Sequence, residues 1–205
     1  ETLTRVQEAS GGVEMVVHIM GQPAEGKRLA LVGVELTLQN AGFRGSLFPV
    51  FIHQVQARIK ASPTTVTLEH LEGRAGPAKL KATGMVTLME GKAYSDIKLH
   101  ATAEASDIWP VLEEHIDVGP RSGVEGVVRM EAALTGLLKQ PRFAGMIDLK
   151  SAGLRIPKIL TKPRHAPAAI QFDTSLTDGG ILAVRHMELL LPPLKIVGDG
   201  SVNFS

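Results

Sequence analysis

The stretch AKLKATGMVTL, residues 78–88, indicates the fold class of this chain. Leu80, Ala82, Gly84, Val86 and Leu88 occupy every second position, and lysine or threonine fills most of the positions between them. Successive side chains of a β-strand point to opposite sides of the sheet. The alternation therefore predicts a strand with one apolar face and one polar face.

The same period of two recurs along the whole chain of 205 residues. Turn-forming residues separate many of the runs, as at Glu90-Gly91-Lys92, Asp178-Gly179-Gly180 and Pro192-Pro193. Short connections favour antiparallel neighbours, and one-sided alternation is typical of an antiparallel sheet with one wet face. The sequence therefore predicts a mainly β chain whose strands lie at about 13–20, 29–40, 52–60, 64–72, 78–90, 93–103, 124–135, 142–150, 168–176, 180–190 and 194–204.

Two segments depart from this alternation. In ASDIWPVLEEHI, residues 105–116, apolar residues fall at helical spacing, Ser106 or Asp107 can cap the N-terminus, and Pro110 is tolerated in a first turn. We therefore expect a short helix at about 107–116. The segment IPKILTKPRHAP, residues 156–167, holds three prolines and is predicted to be a loop with at most one helical turn.

An internal repeat is indicated by three pairs of segments that occur in the same order in both halves of the chain. Compositional coincidence among β-sequences is the alternative explanation. The pairs are GVEMVVHIM (12–20) with GVEGVVRME (123–131), GVELTLQNAGF (33–43) with GMIDLKSAGL (145–154), and residues 69–88 with residues 185–204.

The repeat divides the chain into three predicted parts. Residues 1–11 would end a preceding unit, residues 12–122 would form unit one with its helix near 107–116, and residues 123–205 would form a truncated unit two. The chain opens on polar residues and stops within a predicted strand. We therefore expect it to be an internal piece of a longer protein.

Composition and motifs argue against several classes of function. The net charge is +1, from 22 basic and 21 acidic residues, so no basic excess points to nucleic acid. There are no cysteines, and no apolar stretch is long enough to span a bilayer. No HExxH, GxSxG, phosphate-loop or dinucleotide-binding motif occurs. We therefore expect neither an enzyme, nor a metal site, nor a cofactor.

Some polar and aromatic residues have both a functional and an ordinary structural explanation. His70 and Glu72, like His186 and Glu188, share a face and could bind a metal, but a polar pair on the wet face is favoured. Trp109 could anchor a membrane surface, although packing at the end of the core is favoured. Three residues could meet lipid headgroups but fit a solvated loop better: Lys162, Arg164 and His165.

Four stretches together resemble the AsmA-like and TamB-like proteins of Gram-negative envelopes. They are GVELTLQNAGF, VTLEHLEGRAGPAKLKATGMVTL, LTGLLKQPRFAGMIDLKSAGL and MELLLPPLKIVGDGSVNF. The segment SDIWPVLEEHI also resembles the short helix that precedes a new repeat in the YhdP-like branch. The likeness covers most of the chain, but its motifs are degenerate and include no catalytic signature.

This resemblance implies an elongated, curled antiparallel β-sheet of repeated meanders, with a continuous apolar groove and one short helix between repeats. It implies a segment of a bridge-like lipid-transfer protein that shields phospholipid acyl chains between the inner and outer membranes. The chain would be the periplasmic part of an inner-membrane-anchored protein and would meet membranes through parts outside this sequence. Envelope protein partners are also conceivable, without a named candidate.

The alternating strands nominate residues for the wall of such a groove. A closed sandwich is the alternative, in which the same faces pack on each other and the protein is a structural or protein-interaction scaffold of the envelope that binds no lipid. The lipid-groove candidates are Leu36, Leu38, Leu80, Val86, Leu88, Ile97, Leu99, Ile147, Leu149, Ile170, Phe172, Ile196, Val202 and Phe204.

Overall fold

The computed structural model describes residues 6–20, 30–45, 48–113, 122–157, 160–177 and 181–203. These residues form a single antiparallel sheet of thirteen strands that does not close on itself, with one short helix. The predicted mainly β class and the curled, elongated sheet are therefore confirmed. The predicted end of the helix at residues 114–116, the predicted turn at residues 178–180 and the groove candidate Phe204 lie outside the described residues.

The strand bounds follow the alternating runs closely. All eleven predicted runs correspond to strands, and most bounds differ by a few residues or fewer. The elements are β1 Val6–Met20, β2 Ala30–Gly45, β3 Phe48–Ala61, β4 Thr65–Ala75, β5 Ala78–Met89, β6 Lys92–Glu104, α1 Ala105–Glu113, β7 Gly123–Leu137, β8 Arg142–Asp148, β9 Ala152–Ile156, β10 Leu160–Lys162, β11 Ala169–Leu176, β12 Ile181–Leu191 and β13 Leu194–Asn203.

The strands form a meander in which neighbours in sequence are mostly neighbours in the sheet. The order is β1-β2-β3-β4-β5-β6-β7-β8-β11-β12-β13, and β9 and β10 lie off this path. The long strand β7 has two partners on one side: its first part pairs with β9, and Arg129–Thr135 pairs with β8. The β5–β6 turn has positive φ at Glu90 (52°) and Gly91 (73°), as a tight two-residue hairpin requires.

The helix begins earlier than the sequence predicted. It spans Ala105–Glu113, so Pro110 lies inside it rather than in its first turn. Ala105 is buried and directly follows Glu104, the last residue of β6. The helix therefore begins before the predicted N-cap positions Ser106 and Asp107. The helix packs against β6 and β7, and Trp109 within it is partly buried.

The predicted loop at 156–167 is wrong in part. Residues 160–162 form the short strand β10, which pairs with β9 from Leu160↔Ile156 to Lys162↔Leu154. These strands are three and five residues long, too short for a period of two to stand out in the sequence. Pairing with β7 and with each other, rather than strand propensity, organises the segment.

The third pair of repeat segments occupies equivalent places in the sheet. Leu68 pairs with Gly84 in the first hairpin. Val184 pairs with Gly200 in the second, and both residues lie 116 positions after their counterparts. A bulge follows both pairs, between Leu68 and Leu71 in β4 and between Val184 and Met187 in β12. The β4–β5 and β12–β13 hairpins therefore share sequence pattern, register and irregularity.

The first pair of repeat segments does not occupy equivalent places. Gly12 pairs with Gln39, whereas Gly123 pairs with Arg155, five residues beyond the aligned Lys150. Instead, Gly11 and Gly126 have similar neighbours. An added Cβ would lie 2.4 Å from Cα of Ala41 at Gly11, and 3.3 Å from Cα of Ala152 at Gly126. Strand β1 also runs through the predicted boundary at residue 12.

Burial in this single sheet is shallow. The fully enclosed side chain among the described residues is Val55, which packs with the buried Ala41 and Ala57 and with half-buried neighbours around them. Within the part of the chain that the structure describes, strands contact the strands to which they are hydrogen-bonded, and only α1 adds a second layer. The predicted alternative of a closed sandwich would bury these faces, whereas most apolar side chains of the described strands keep part of their surface exposed.

Candidate functional site

The apolar faces of the strands join into rows that cross the sheet. Residues directly opposite in a ladder share a face, so the register identifies each row without further assumption. One row crosses β5, β6, β7, β8, β11, β12 and β13. Its members are Leu80, Ala101, Met130, Ile147, Ile170, Leu189 and Ile196.

Two further rows cross all eleven strands of the main path. We call the face that these three rows share the apolar face. The second row consists of Val13, Leu38, Ala57, Leu71, Ala82, Leu99, Ala132, Gly145, Phe172, Met187 and Gly198. The third consists of Met15, Leu36, Ile59, Leu68, Gly84, Ile97, Leu134, Phe143, Thr174, Val184 and Gly200.

Most of the nominated groove residues lie in these rows. Nine of the fourteen are members: Leu36, Leu38, Leu80, Ile97, Leu99, Ile147, Ile170, Phe172 and Ile196. Val86 and Leu88 continue the same face along β5, opposite Ser95 and Ala93. Leu149 follows β8, where its N–H donates to the carbonyl oxygen of Ala168 at 3.0 Å. Val202 pairs with Leu182 in β12, and Phe204 lies outside the described residues.

Several members of the apolar face were not nominated from the sequence. Met130 and Leu134 lie on β7, whose alternation was recognised as a strand but not assigned to the groove. Phe143 packs near Phe172, with ring centroids 5.2 Å apart and planes tilted by 38°. Gly145 lies opposite Phe172, and a Cβ on Gly145 would lie 2.3 Å from the carbonyl oxygen of Glu131 in β7. The alternation in residues 124–135 was the available signal for the first two.

Among the described residues the apolar face stays partly exposed, and its exposure rises toward the sheet edges. In the middle of the sheet its aliphatic side chains are half-buried by their neighbours in the same face. On the outer strands exposure reaches 66% at Val13 and 51% at Ile196. A contiguous apolar surface of this extent is unusual on a soluble protein and marks a binding surface.

Hydroxyl groups on the apolar face are already satisfied by the backbone. Thr174 is buried in the third row, and its Oγ1 donates to the carbonyl oxygen of Phe143 at 3.0 Å. Ser95 is also buried, and its Oγ donates to the carbonyl oxygen of Gly136 at 3.2 Å. No Asp, Glu, Lys or Arg occurs in the three rows. The apolar face therefore presents aliphatic surface without a polar group that would fix one ligand in place.

The opposite face carries a lattice of cross-strand ion pairs. Lys60 Nζ lies 2.6 Å from Glu69, Arg142 binds Asp173 through two contacts of 2.8 and 2.7 Å, and Lys195 Nζ lies 2.8 Å from Glu188. Each cation lowers the pKa of its carboxylate partner, chiefly by donating a hydrogen bond. This face is therefore suited to water, and the two faces of the sheet differ sharply in polarity.

The histidine–glutamate pairs lie on this polar face. His70 Nε2 is 3.8 Å from Glu72, and His186 Nε2 is 3.5 Å from Glu188. Both histidines sit at the equivalent bulges of β4 and β12, and lysines bind both glutamates. Among the described residues no three His, Asp or Glu side chains converge as a metal site would require.

The three basic candidates in the segment 162–165 have different surroundings. Lys162 is 4% exposed, so the predicted solvated position is wrong for it. Its Nζ donates to the carbonyl oxygens of Ala152 and Pro163, and burial lowers its pKa. Arg164 is exposed and lies 3.3 Å from Glu125, and His165 is exposed. The three side chains therefore do not form one basic patch.

Comparisons with protein-family models, curated proteins and solved structures gave no significant match. Within the described part of the chain, no helix is both long enough and apolar enough to cross a bilayer.

Proposed function

We propose that this chain is a segment of a bridge-like lipid-transfer protein, and that its apolar face shields phospholipid acyl chains during passage between the inner and outer membranes. The observation that carries the proposal is one aliphatic face, partly exposed among the described residues, that continues across every strand of the main path. The AsmA-like and TamB-like resemblance supports the same function. From that resemblance we also propose that the chain lies in the periplasm, as part of a protein anchored in the inner membrane.

The dimensions of the face suit an acyl chain. Strands lie about 4.8 Å apart, so the eleven strands of the main path give a face about 50 Å long, measured along the sheet. Across the sheet, the apolar positions of β5 from Leu80 to Leu88 span about 27 Å. A bilayer core of about 30 Å holds two acyl layers, so one chain needs about 15 Å.

The mechanism is solvation, and no covalent bond changes. Each methylene exposed to water costs about 0.8 kcal/mol, so a chain of about 15 methylenes costs about 12 kcal/mol. A continuous wall removes most of that cost at every step along the sheet. Because the wall is mainly aliphatic and its hydroxyls are bonded to the backbone, neighbouring positions hold a chain about equally well. Sliding then has no deep trap.

A scaffold function in the envelope is the competing proposal. It requires the apolar face to pack on a second layer, as in a sandwich. In the described residues most side chains of this face are only half-buried and several are exposed, which favours the lipid groove. A scaffold could still cover the face with a partner protein, so the test must measure lipid directly.

The test compares two double variants that differ only in the face they change. Leu88→Gln with Ile196→Gln alters the apolar face, at side chains 47% and 51% exposed. Met85→Gln with Val197→Gln alters the opposite face on the same two strands, at side chains 46% and 54% exposed. Matched exposure gives both variants a similarly small effect on stability.

Each protein is incubated with phospholipid vesicles, separated from them, and weighed by native mass spectrometry with extraction of bound lipid. We expect bound phospholipid on the wild type and on Met85→Gln/Val197→Gln, and a reduction of fivefold or more on Leu88→Gln/Ile196→Gln. Absence of lipid from the wild type, or equal loss in both variants, would contradict the groove. Circular dichroism and unfolding midpoints confirm that all three proteins are folded.

A further inference from the structure

The outer edge of β13 is equivalent to the edge of β5 that pairs with β6. Strand β13 is the repeat equivalent of β5, because their ladders with β12 and β4 share register and bulge position. In β5 the other edge is taken by β6, which pairs from Lys79↔Thr102 to Met89↔Lys92. In β13 the other edge has no partner strand among the described residues.

Gly84 shows what a strand on that edge requires. A Cβ on Gly84 would lie 2.2 Å from the carbonyl oxygen of Asp96 and 2.6 Å from Cα of Ile97, both in the backbone of β6. Glycine is therefore needed at position 84 because β6 approaches so closely. Gly200 is the equivalent position, and a Cβ on Gly200 would meet nothing within 4 Å. The present contacts of β13 give no reason for a glycine there.

We propose that the free edge of β13 binds an extended, antiparallel strand with the pattern of β6, and that Gly200 is the point of closest approach. The partner would present apolar side chains toward the apolar face and polar side chains toward the other. Main-chain hydrogen bonds would supply affinity, and alternate side chains would supply specificity, as in other cases of strand addition. This binding uses main-chain groups at the edge of β13, whereas the proposed lipid wall uses the side chains of the apolar face.

Charge specifies the partner further. In the β5–β6 ladder, Thr83 lies opposite Lys98. The repeat equivalent of Thr83 is Asp199, which is exposed on the polar face of β13. In the β6-like register a lysine or arginine of the added strand would lie directly opposite Asp199, and opposite charges at such a position favour pairing. The preferred strand therefore carries a cation one residue beyond the one facing Gly200.

The probe is a synthetic peptide of residues 92–104, KAYSDIKLHATAE, labelled with fluorescein at its N-terminus. Its binding is measured by fluorescence anisotropy to the whole 205-residue chain, at concentrations where sedimentation velocity finds monomers. The variant Gly200→Val tests the site, because a branched side chain blocks close approach but has open space in the free chain. The φ of Gly200 lies outside the positive range, so valine is compatible with its backbone.

We expect saturable binding to the wild type and at least tenfold weaker binding to Gly200→Val at an unchanged unfolding midpoint. A peptide with Lys98→Glu should bind about two- to fivefold more weakly. The protein variant Asp199→Asn should reduce or remove that difference between the two peptides.

Three results would overturn the proposal. The first is no saturable binding up to about 1 mM peptide, and the second is equal binding to the wild type and to Gly200→Val. The third is a wild-type dimer that Gly200→Val converts to monomer. In that case the edge takes a second copy of this chain and not a β6-like strand.

Discussion

Alanine at Gly84 and at Gly200 should change stability in opposite directions, although the two glycines occupy equivalent positions of the repeat. Gly84 has φ of +149°, and a Cβ there would overlap the backbone of β6 at 2.2 Å. The positive φ costs roughly 1–2 kcal/mol for a residue with a Cβ, and relief of the overlap costs about 1–3 kcal/mol more. Gly84→Ala should therefore lower the free energy of unfolding by about 2–5 kcal/mol.

Gly200 has neither feature. Its φ is not in the positive range, and no atom lies within 4 Å of an added Cβ. Alanine at this position reduces the conformational freedom of the unfolded chain and should raise the free energy of unfolding by about 0.4–1 kcal/mol. The two variants should thus differ by at least about 2.4 kcal/mol, because of the positive φ of Gly84 and the close approach of β6.

Urea unfolding followed by circular dichroism measures both free energies. For a chain of this size, each kcal/mol shifts the thermal midpoint by about 2–4 °C. Gly84→Ala should therefore melt several degrees below the wild type, and Gly200→Ala at or slightly above it. Equal destabilisation by the two substitutions would refute the reasoning, because it would mean that β13 is as tightly flanked as β5.

Three further outcomes are expected. Val55→Ala should cost roughly 1.5–3 kcal/mol in urea unfolding, because Val55 is fully enclosed; a loss below 0.5 kcal/mol would contradict a core at that position. Asp173 has a pKa held below its ordinary value by Arg142. Its stabilising effect is therefore present above pH ~4 and lost as pH falls through the folded pKa, so unfolding titrations of Asp173→Asn should show a flatter acid limb than the wild type. Burial lowers the pKa of Lys162. Between the lowered pKa of folded Lys162 and about pH 10.4, the unfolded chain binds more protons than the folded chain. The stability of the wild type should therefore rise with pH relative to Lys162→Met over that interval, and a constant difference would exclude the buried amine.

Local pattern predicted most of the sheet because this fold has one layer and mostly local connections. Each strand pairs chiefly with its sequence neighbour, so alternation and turn residues together determine the order. The β5–β6 hairpin illustrates this, because Glu90 and Gly91 predicted the turn and are the two residues with positive φ in it. The helix was found by its spacing, but its start was misplaced because Ala105 follows β6 without a break.

Tertiary pairing determined what the sequence did not reveal. Strands β9 and β10 exist because they complete the pairing beside the first part of β7. The similarity of residues 12–20 to 123–131 was misleading because apolar alternation repeats at several offsets, and only the ladder distinguishes them. The sequence predicts Lys162 to be a surface residue. In the fold its buried Nζ donates to the backbone carbonyl oxygens of Ala152 and Pro163.

The apolar face was predictable in part for the same reason. Nine nominated residues fall in the three rows because strand parity is visible in the sequence. That these rows stay partly exposed among the described residues is a property of the folded chain, and no pattern of residues could have distinguished an open wall from a sandwich.

The central claim is that acyl chains lie on the apolar face, and paramagnetic broadening of methyl signals tests it most directly. The chain is labelled at the methyl groups of Ile, Leu, Val and Met, and phospholipid with a nitroxide on its acyl chain is added. We predict stronger broadening of Ile97, Ile147 and Leu189 on the apolar face than of Met85, Met146 and Val197 on the opposite face. Broadening spread evenly over both faces, or confined to the opposite face, would contradict the account.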